Sequence, residues 1–355
     1  MLMTSYVFCG RSGLTNSLAA AVALVAAGAF TLPAQADPVA GFYQGKSLSM
    51  IISSSPGGGY DALSRTISRH MGRFIPGQPN IVPRNMPGAG GIVANKHLAT
   101  TAARDGTVLG GLQNNAPLEP LFGTKEADYD PTKMNWLGTP SIETGLLFVW
   151  HTSPFKTLED MKNREITAGA NGVNSAPAFY SRVMNELLGT KIKVIAGYPG
   201  QNEAYLAVER GEIDTYGLTM WSSLTSVKKD WLADKKVRIL LQYGPEKEAA
   251  LGDTPYGDDL ITNPDDKLLF AAAYGPLSLG RPFVLPPDVP ADRVAAMRKA
   301  FMDTINNPEF RAEAGKQGLL IDSPRSGEQL QQEITRLYAT PPDVVKRLRR
   351  IYNGA

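Results

Sequence analysis

The sequence predicts an α/β protein of two lobes, hinged as a clamshell with a ligand cleft between them. Short apolar runs alternate with amphipathic stretches in two successive βα series. Each series carries a glycine-rich loop where a strand meets a helix, and the chain passes between the series twice. A chain of 355 residues has room for two such cores.

The first 36 residues carry one charge, Arg11, and an apolar run, Leu18–Leu32, ahead of Ala34-Gln35-Ala36. That is the pattern of a secretory signal peptide cleaved near Ala36. The other reading, a membrane anchor, needs about 20 apolar residues, and this run stops short at Pro33. Cys9 is the one cysteine and precedes the apolar run, so the exported chain has neither disulfides nor thiol chemistry. A formal net charge of +2 gives no reason to expect a nucleic-acid partner. The product is expected to be a soluble exported monomer.

In the first series, Lys46–Ser53 reads as a buried strand and Ala62–Phe74 as a helix with Leu63, Ile67, His70 and Met71 on one face. Asn80–Asn85 is a second strand. Pro87-Gly88-Ala89-Gly90-Gly91 turns into helix Ile92–Thr101, and Asp105-Gly106 turns into strand Thr107–Leu112. Strand Leu146–Trp150 leaves this lobe. In the second, helix Thr157–Lys162 leads to strand Glu165–Ala170 and helix Ala176–Leu188. Strand Ile192–Ala196 and helix Gln201–Arg210 follow, then strand Ile213–Leu218, helix Ser222–Ala233 and strand Val237–Tyr243. Gly244–Asp266 is a polar loop that returns the chain, with Leu277–Leu285 as the return strand. Helices Ala291–Asn306, Pro308–Gln317, Gly327–Tyr338 and Pro342–Tyr352 are expected on lobe one. The expected lobes are 41–146 with 276–355, and 147–275.

The first glycine loop runs Ser54-Ser55-Pro56-Gly57-Gly58-Gly59-Tyr60-Asp61. The second runs Gly169-Ala170-Asn171-Gly172-Val173-Asn174-Ser175, with helix residue Ala176 next. A strand, a glycine turn and a helix start leave free N–H groups and the positive end of the helix dipole facing outward, which seats an anion. One glycine triplet alone is also what any tight turn needs; two of them at strand carboxyl ends favour binding. Asp61 reads as a helix N-cap in preference to a ligand group, since a carboxylate repels an anion. Ser175 is an N-cap or a ligand donor. Asn114 and Asn115 follow a strand and are either turn residues or neutral donors to a second carboxylate. Tyr60, Tyr198 and Trp221 sit at strand ends, where they either pack or wall an apolar ligand body. Gly200, Thr219 and Met220 complete the candidate wall. Lys346-Arg347-Leu348-Arg349-Arg350 reads as a solvated helix end that suits the negative dipole end.

Catalysis finds little support. His70, His97 and His151 have no metal-ligand spacing, and no histidine is placed to activate Ser53–Ser55. No G-x-S-x-G elbow, P-loop or dinucleotide fingerprint is present. No catalytic residue, metal or cofactor is expected.

These motifs resemble the periplasmic solute-binding proteins of tripartite tricarboxylate transporters, the TctC or Bug family. The residues that carry the resemblance are Pro56-Gly57-Gly58-Gly59 with Asp61, then Asn85-Met86-Pro87-Gly88-Ala89-Gly90-Gly91, and Asp105-Gly106-Thr107. In lobe two they are Gly169, Gly172 and Ser175, then Tyr198 with Gly200, and Gly211-Glu212-Ile213-Asp214. The resemblance implies a two-lobed Venus-flytrap fold of the periplasmic binding-protein type, type II-like. It implies capture of an organic carboxylate by loop amides and ordered waters, without an arginine clamp, and delivery to membrane permease subunits. The chain departs from the family pattern at Tyr60, Asn174, Pro199 and Gly217–Trp221, which leaves the ligand open. With no Arg or Lys among the wall residues, a mono- or dicarboxylate with an apolar or aromatic body fits better than a tricarboxylate. Arg281 on the return strand is the cation that could alter this. The alternatives are a sensory protein that presents its ligand to a membrane receptor and an enzyme on the same scaffold.

Overall fold

The computed structural model describes residues 37–173 and 175–354. The expected signal peptide, 1–36, and Asn174 of the second loop lie outside the described residues.

The chain opens with α1 (Pro38–Tyr43), β1 (Ser47–Ile52), α2 (Gly59–Met71), β2 (Asn80–Asn85), α3 (Ile92–Thr100), β3 (Val108–Gly111), α4 (Glu119–Phe122) and β4 (Asn135–Thr139). Then come β5 (Gly145–Trp150), α5 (Leu158–Asn163), β6 (Ile166–Ala170), α6 (Ala176–Leu188), β7 (Ile192–Ala196) and α7 (Gln201–Glu209). Next are β8 (Thr215–Tyr216), β9 (Thr219–Met220), α8 (Trp221–Ser226), α9 (Lys229–Ala233), β10 (Val237–Tyr243) and α10 (Pro264–Tyr274). The chain closes with β11 (Phe283–Leu285), α11 (Ala291–Asn306), α12 (Pro308–Lys316), β12 (Arg325–Ser326), α13 (Gly327–Tyr338) and α14 (Pro342–Tyr352).

One six-stranded sheet runs β12-β4-β11-β3-β1-β2. Its β2-β1-β3 part is parallel, as a βαβαβ unit requires, and β11 and β12 return antiparallel. The second series forms two three-stranded sheets, antiparallel β10-β5-β9 and parallel β7-β6-β8. Period-two burial places Leu48, Met50 and Ile52 of β1 in one core, where they join Leu63, Ile67 and Met71 of α2 at helical spacing. Helix starts follow side-chain chemistry: Thr157 and Ser326 form capping boxes, and Asn263 and Asn307 cap helices whose next residue is proline.

Several expected elements differ. The interval Ser222–Ala233 is two helices, because α8 is rich in hydroxyls that bond back to the backbone and the chain turns at Val227-Lys228 to bury Trp231. The return strand shrinks to β11, since Pro276 and Gly280 shape the residues before it into a helical turn. The expected loop to Asp266 ends early in α10, and β4 was not expected. The expected lobe boundary at 146/147 falls inside β5; the chain leaves the six-stranded sheet between β4 and β5, because a strand stays with the partners that hold its hydrogen bonds. Nor does α14 rest on lobe one alone. Its Tyr352 stacks on Phe122 of α4 at 4.6 Å and lies 5.9 Å from Phe179 of α6, ring centre to ring centre. Arg347 and Arg350 of α14 pair with Glu186 of α6, and Arg347 also pairs with Asp266 of α10. The basic stretch thus ties helices together through Arg347 and Arg350, while Lys346, Arg349 and Arg350 stay exposed as a solvated helix end would.

The two segments that pass between the sheets run side by side. The Glu143 N–H donates to the Leu277 carbonyl at 2.9 Å, and the Arg281 N–H to Thr139 Oγ1 at 3.0 Å. Gly280 has φ of +57° and faces the Ser141 carbonyl so closely that a Cβ would collide with it.

Candidate functional site

The first glycine loop leaves the carboxyl end of β1 and is held by its neighbours. Asn85 Nδ2 donates to the Ser54 carbonyl at 2.9 Å and to Asp61 Oδ1 at 2.8 Å. Asp61 Oδ2 accepts the Gly57 N–H at 3.0 Å, and Arg65 Nε donates to Oδ1 at 2.9 Å. Gly58 caps α2, so Asp61 lies in the first turn and not at the N-cap expected from sequence. Burial alone would raise the Asp61 carboxyl, but the hydrogen bonds from Arg65, Gly57 and Asn85 outweigh it and hold it below the ordinary carboxylate range. The carboxylate thus faces the protein, and its charge is answered by Arg65. Gly57 takes φ of +87°, and no atom lies within 4 Å of where a Cβ would stand on Gly57 or Gly58. The loop is thus open beside these two glycines, while Gly59, the first residue of α2, is covered by the Arg281 guanidinium; the first N–H groups of the helix have no intrahelical partner. Ser55 and Pro56 of the loop are exposed.

Two orphaned polar atoms follow the carboxyl ends of β1 and β3, Ser54 Oγ in this loop and Asn114 Nδ2 after β3. Asn114 is buried at 2% exposure, and its Nδ2 has no hydrogen-bond partner; buried Ser54 Oγ has none either. They follow β3 and β1, paired neighbours whose register ends at Ile52 opposite Gly111. Buried polar atoms left unmatched cost about 1–3 kcal/mol each. Sequence reasoning named Asn114 but not Ser54 as a ligand group. Asn115 is half-buried and turned toward Glu119 Oε1, at 3.4 Å. Glu119 also accepts from the Tyr352 and Thr124 hydroxyls, yet burial keeps its carboxyl above the ordinary range.

Tyr60 is drawn inward. Its hydroxyl accepts the Asn114 N–H at 3.4 Å, the Arg281 guanidinium lies 5.1 Å above its ring, and burial pushes the phenol well above its usual range.

The second loop leaves β6. Ser175 precedes α6 and bonds within the loop: its hydroxyl donates to the Gly172 carbonyl at 2.7 Å and accepts the Gly172 N–H at 3.3 Å. Asn171 is fixed by the Tyr216 hydroxyl, which donates to Oδ1 at 2.7 Å, and its Nδ2 reaches the Tyr198 and Pro199 carbonyls. Gly172 again has nothing within 4 Å of a would-be Cβ, and Tyr198 lies along Gly169. Ala176 opens α6, and Gly200 caps α7. Thr219 and Met220 are buried on β9, with Thr219 Oγ1 accepting from the Tyr205 hydroxyl at 3.2 Å. Trp221 starts α8, and its N–H donates to the Thr144 carbonyl at 2.8 Å.

Sequence reasoning missed the ion pair at the crossing segments. Arg281 Nε lies 3.0 Å from Glu143 Oε1, both side chains buried, and Arg281 Nη2 donates to Ser222 Oγ at 2.7 Å. No sequence spacing signals it, since the partners are far apart in the chain. His70 is taken by Glu313, at 2.6 Å. Among the described residues, no group of three or more His, Cys, Asp and Glu could hold a metal ion, and no helix is long and apolar enough to cross a membrane.

Two glycine loops at strand ends, in two βα series between which the chain passes twice, suit a solute-binding protein. The profile of the tripartite tricarboxylate transporter family receptor, TctC, matches residues 63–337, and the chain belongs to that family. No curated protein sequence matches it. Among solved structures it is similar to a TctC solute-binding protein from Polaromonas, with TM-score 0.64 and 16% identity over 88% of this chain and 100% of that one. It is similar to MatC from Rhodopseudomonas palustris with bound malate, with TM-score 0.61 and 19% identity over 86% of this chain and 99% of that one. A second R. palustris protein, solved with adipate, has TM-score 0.63 and 16% identity over 86% of this chain and 97% of that one. The chain thus has the two-lobed α/β fold of these solute-binding proteins and is a receptor of the transporter family.

Proposed function

We propose that this receptor captures a mono- or dicarboxylate with an apolar or aromatic body in the periplasm and hands it unchanged to the permease subunits of its transporter. The exported form begins near Asp37 and works as a monomer. One lobe is built on the six-stranded sheet and the other on the two three-stranded sheets, and the ligand lies between them. One carboxylate is held by the N–H groups at the starts of α2 and α6, between Gly57–Tyr60 and Asn171–Ala176. The orphaned Asn114 Nδ2 carries this reading, because a neutral buried donor at a strand end suits an oxygen ligand and adds no charge. The wall formed by Tyr198, Trp221 and Met220 offers aromatic and apolar surface. Malate and adipate in two relatives of this fold support the carboxylate class. Release without turnover is supported by the match to a family of transporter receptors.

The test is a thermal-unfolding screen of purified protein against citrate, adipate and benzoate. A bound acid at 100 times its Kd adds about 2.7 kcal/mol of stability. Adipate or benzoate is expected to stabilise more than citrate, measured without metal ions. No response to any carboxylate overturns the class, and citrate as the tightest ligand overturns the charge limit.

A further inference from the structure

Arg281 is the one basic side chain among the buried described residues. It stands between two candidate ligand segments, the first glycine loop and the stretch that ends at Trp221. Its guanidinium packs against Gly59 so closely that a Cβ there would collide with it, and it covers the Tyr60 ring. It also bonds Ser222, the residue after Trp221. A lone guanidinium in this position would add to the positive end of α2 and draw a ligand's further carboxylates. Its charge is already answered. Glu143, 1% exposed, lies 3.0 Å from Arg281 Nε, and its two oxygens also accept from the Ser222 hydroxyl at 2.8 and 2.7 Å. We infer that Glu143 is a specificity-determining residue: it occupies Arg281 with a carboxylate of the protein's own, and so limits the charge of the ligand the cleft accepts. The inference rests on the carboxylate-binding reading above. Paired, the guanidinium gives an incoming carboxylate no net attraction, and desolvating that carboxylate goes unrewarded.

The experiment compares wild type, Glu143→Gln and the double variant Glu143→Gln/Arg281→Gln by calorimetric titration with citrate, adipate and benzoate in metal-free buffer. Circular dichroism and melting establish that each is folded. Glu143→Gln keeps the Oε1 acceptor and uncovers the Arg281 charge. The citrate-to-benzoate ratio of association constants is expected to rise roughly tenfold. In the double variant it returns to the wild-type value. If Glu143→Gln does not fold, Glu143→Asp is read in its place; it draws the carboxylate back from Nε and is expected to raise the ratio about threefold. An unchanged ratio in the folded single variant overturns the inference, as does an equal rise in the double variant. Wild type that binds none of the three acids overturns the carboxylate reading itself, and the inference falls with it; wild type that binds benzoate or adipate separates the two failures.

Discussion

At the scale of single residues, the open space at Gly58 and the closed one at Asp61 lead to opposite expectations. Gly58 has φ of −86°, close to what proline adopts, and no atom stands within 4 Å of an added Cβ. Gly58→Pro is therefore expected to fold while it removes one loop N–H and fills space in front of the others. Charge-assisted bonds of this kind contribute about 1.5–3 kcal/mol each, so titration with the best carboxylate is expected to show at least a tenfold loss of affinity, with the melting temperature little changed. Asp61 is the reverse case, a residue for the fold. Its carboxyl is held below the ordinary value in the native state, so the unfolded chain takes up its proton first. The stability it supplies is present in full above the unfolded value of about 3.9 and is lost as pH falls through the lower native one. Asp61→Asn is expected to cost about 1–3 kcal/mol near neutral pH, and denaturant titrations are expected to show that gap narrowing in acid. The glycines and Asp61 were legible as a loop and a helix start because turn and cap chemistry is local. Ser54 and the Arg281–Glu143 pair were not, because what matters there is which distant groups meet, or fail to meet, them.

At the scale of elements, α14 shows the limit of periodicity. Its helical bounds, Pro342–Tyr352, were readable from proline and the apolar spacing. Its berth was not, since a basic face looks the same whether water or acidic side chains answer it. Here Glu186 and Asp266 answer it, and Arg349 Nε donates to the Leu121 carbonyl at the end of α4. Helix α14 therefore reaches α6, which begins at the second loop, and Glu119, which Asn115 faces. Tyr352→Phe removes a 2.7 Å hydrogen bond to a buried carboxylate already raised by burial. It is expected to lower stability by about 1–3 kcal/mol in thermal unfolding, with any effect on affinity smaller than that of a loop substitution. The missed helix α10 has a plain signal in hindsight, Asn263-Pro264 followed by two acids, which a polar reading of the loop overrode.

At the scale of the molecule, the two βα series share one body. A single apolar cluster contains Ile51 and Trp136 of the six-stranded sheet and Leu112, just after β3, together with Leu147, Ile166 and Tyr243 of the other sheets. Tyr180, Tyr243 and Tyr274 gather α6, β10 and α10 at ring-centre distances of 4.7–6.0 Å. Residues Asp37–Ala355 accordingly form one compact unit. Calorimetry of the exported form is expected to show one transition whose calorimetric and van't Hoff enthalpies agree; two resolved transitions would mean that the lobes unfold independently. The division into two α/β series was legible because strand and helix periods repeat in order. The merger was not, since α10 and α14 join the series by contacts remote in sequence.

The near-touching backbones at Gly280 and Ser141 have a mechanical consequence. The connectors meet where no side chain fits between them, and hydrogen bonds pin them on either side of that point. In the proposed clamshell such a contact would serve as a fulcrum. Rotation about it leaves the connectors almost still and sweeps anything at the far ends of the strands through an arc that lengthens with its distance from the pivot. In that clamshell the glycine loops would be the tips of those lever arms, and their separation would be set at these crossing segments.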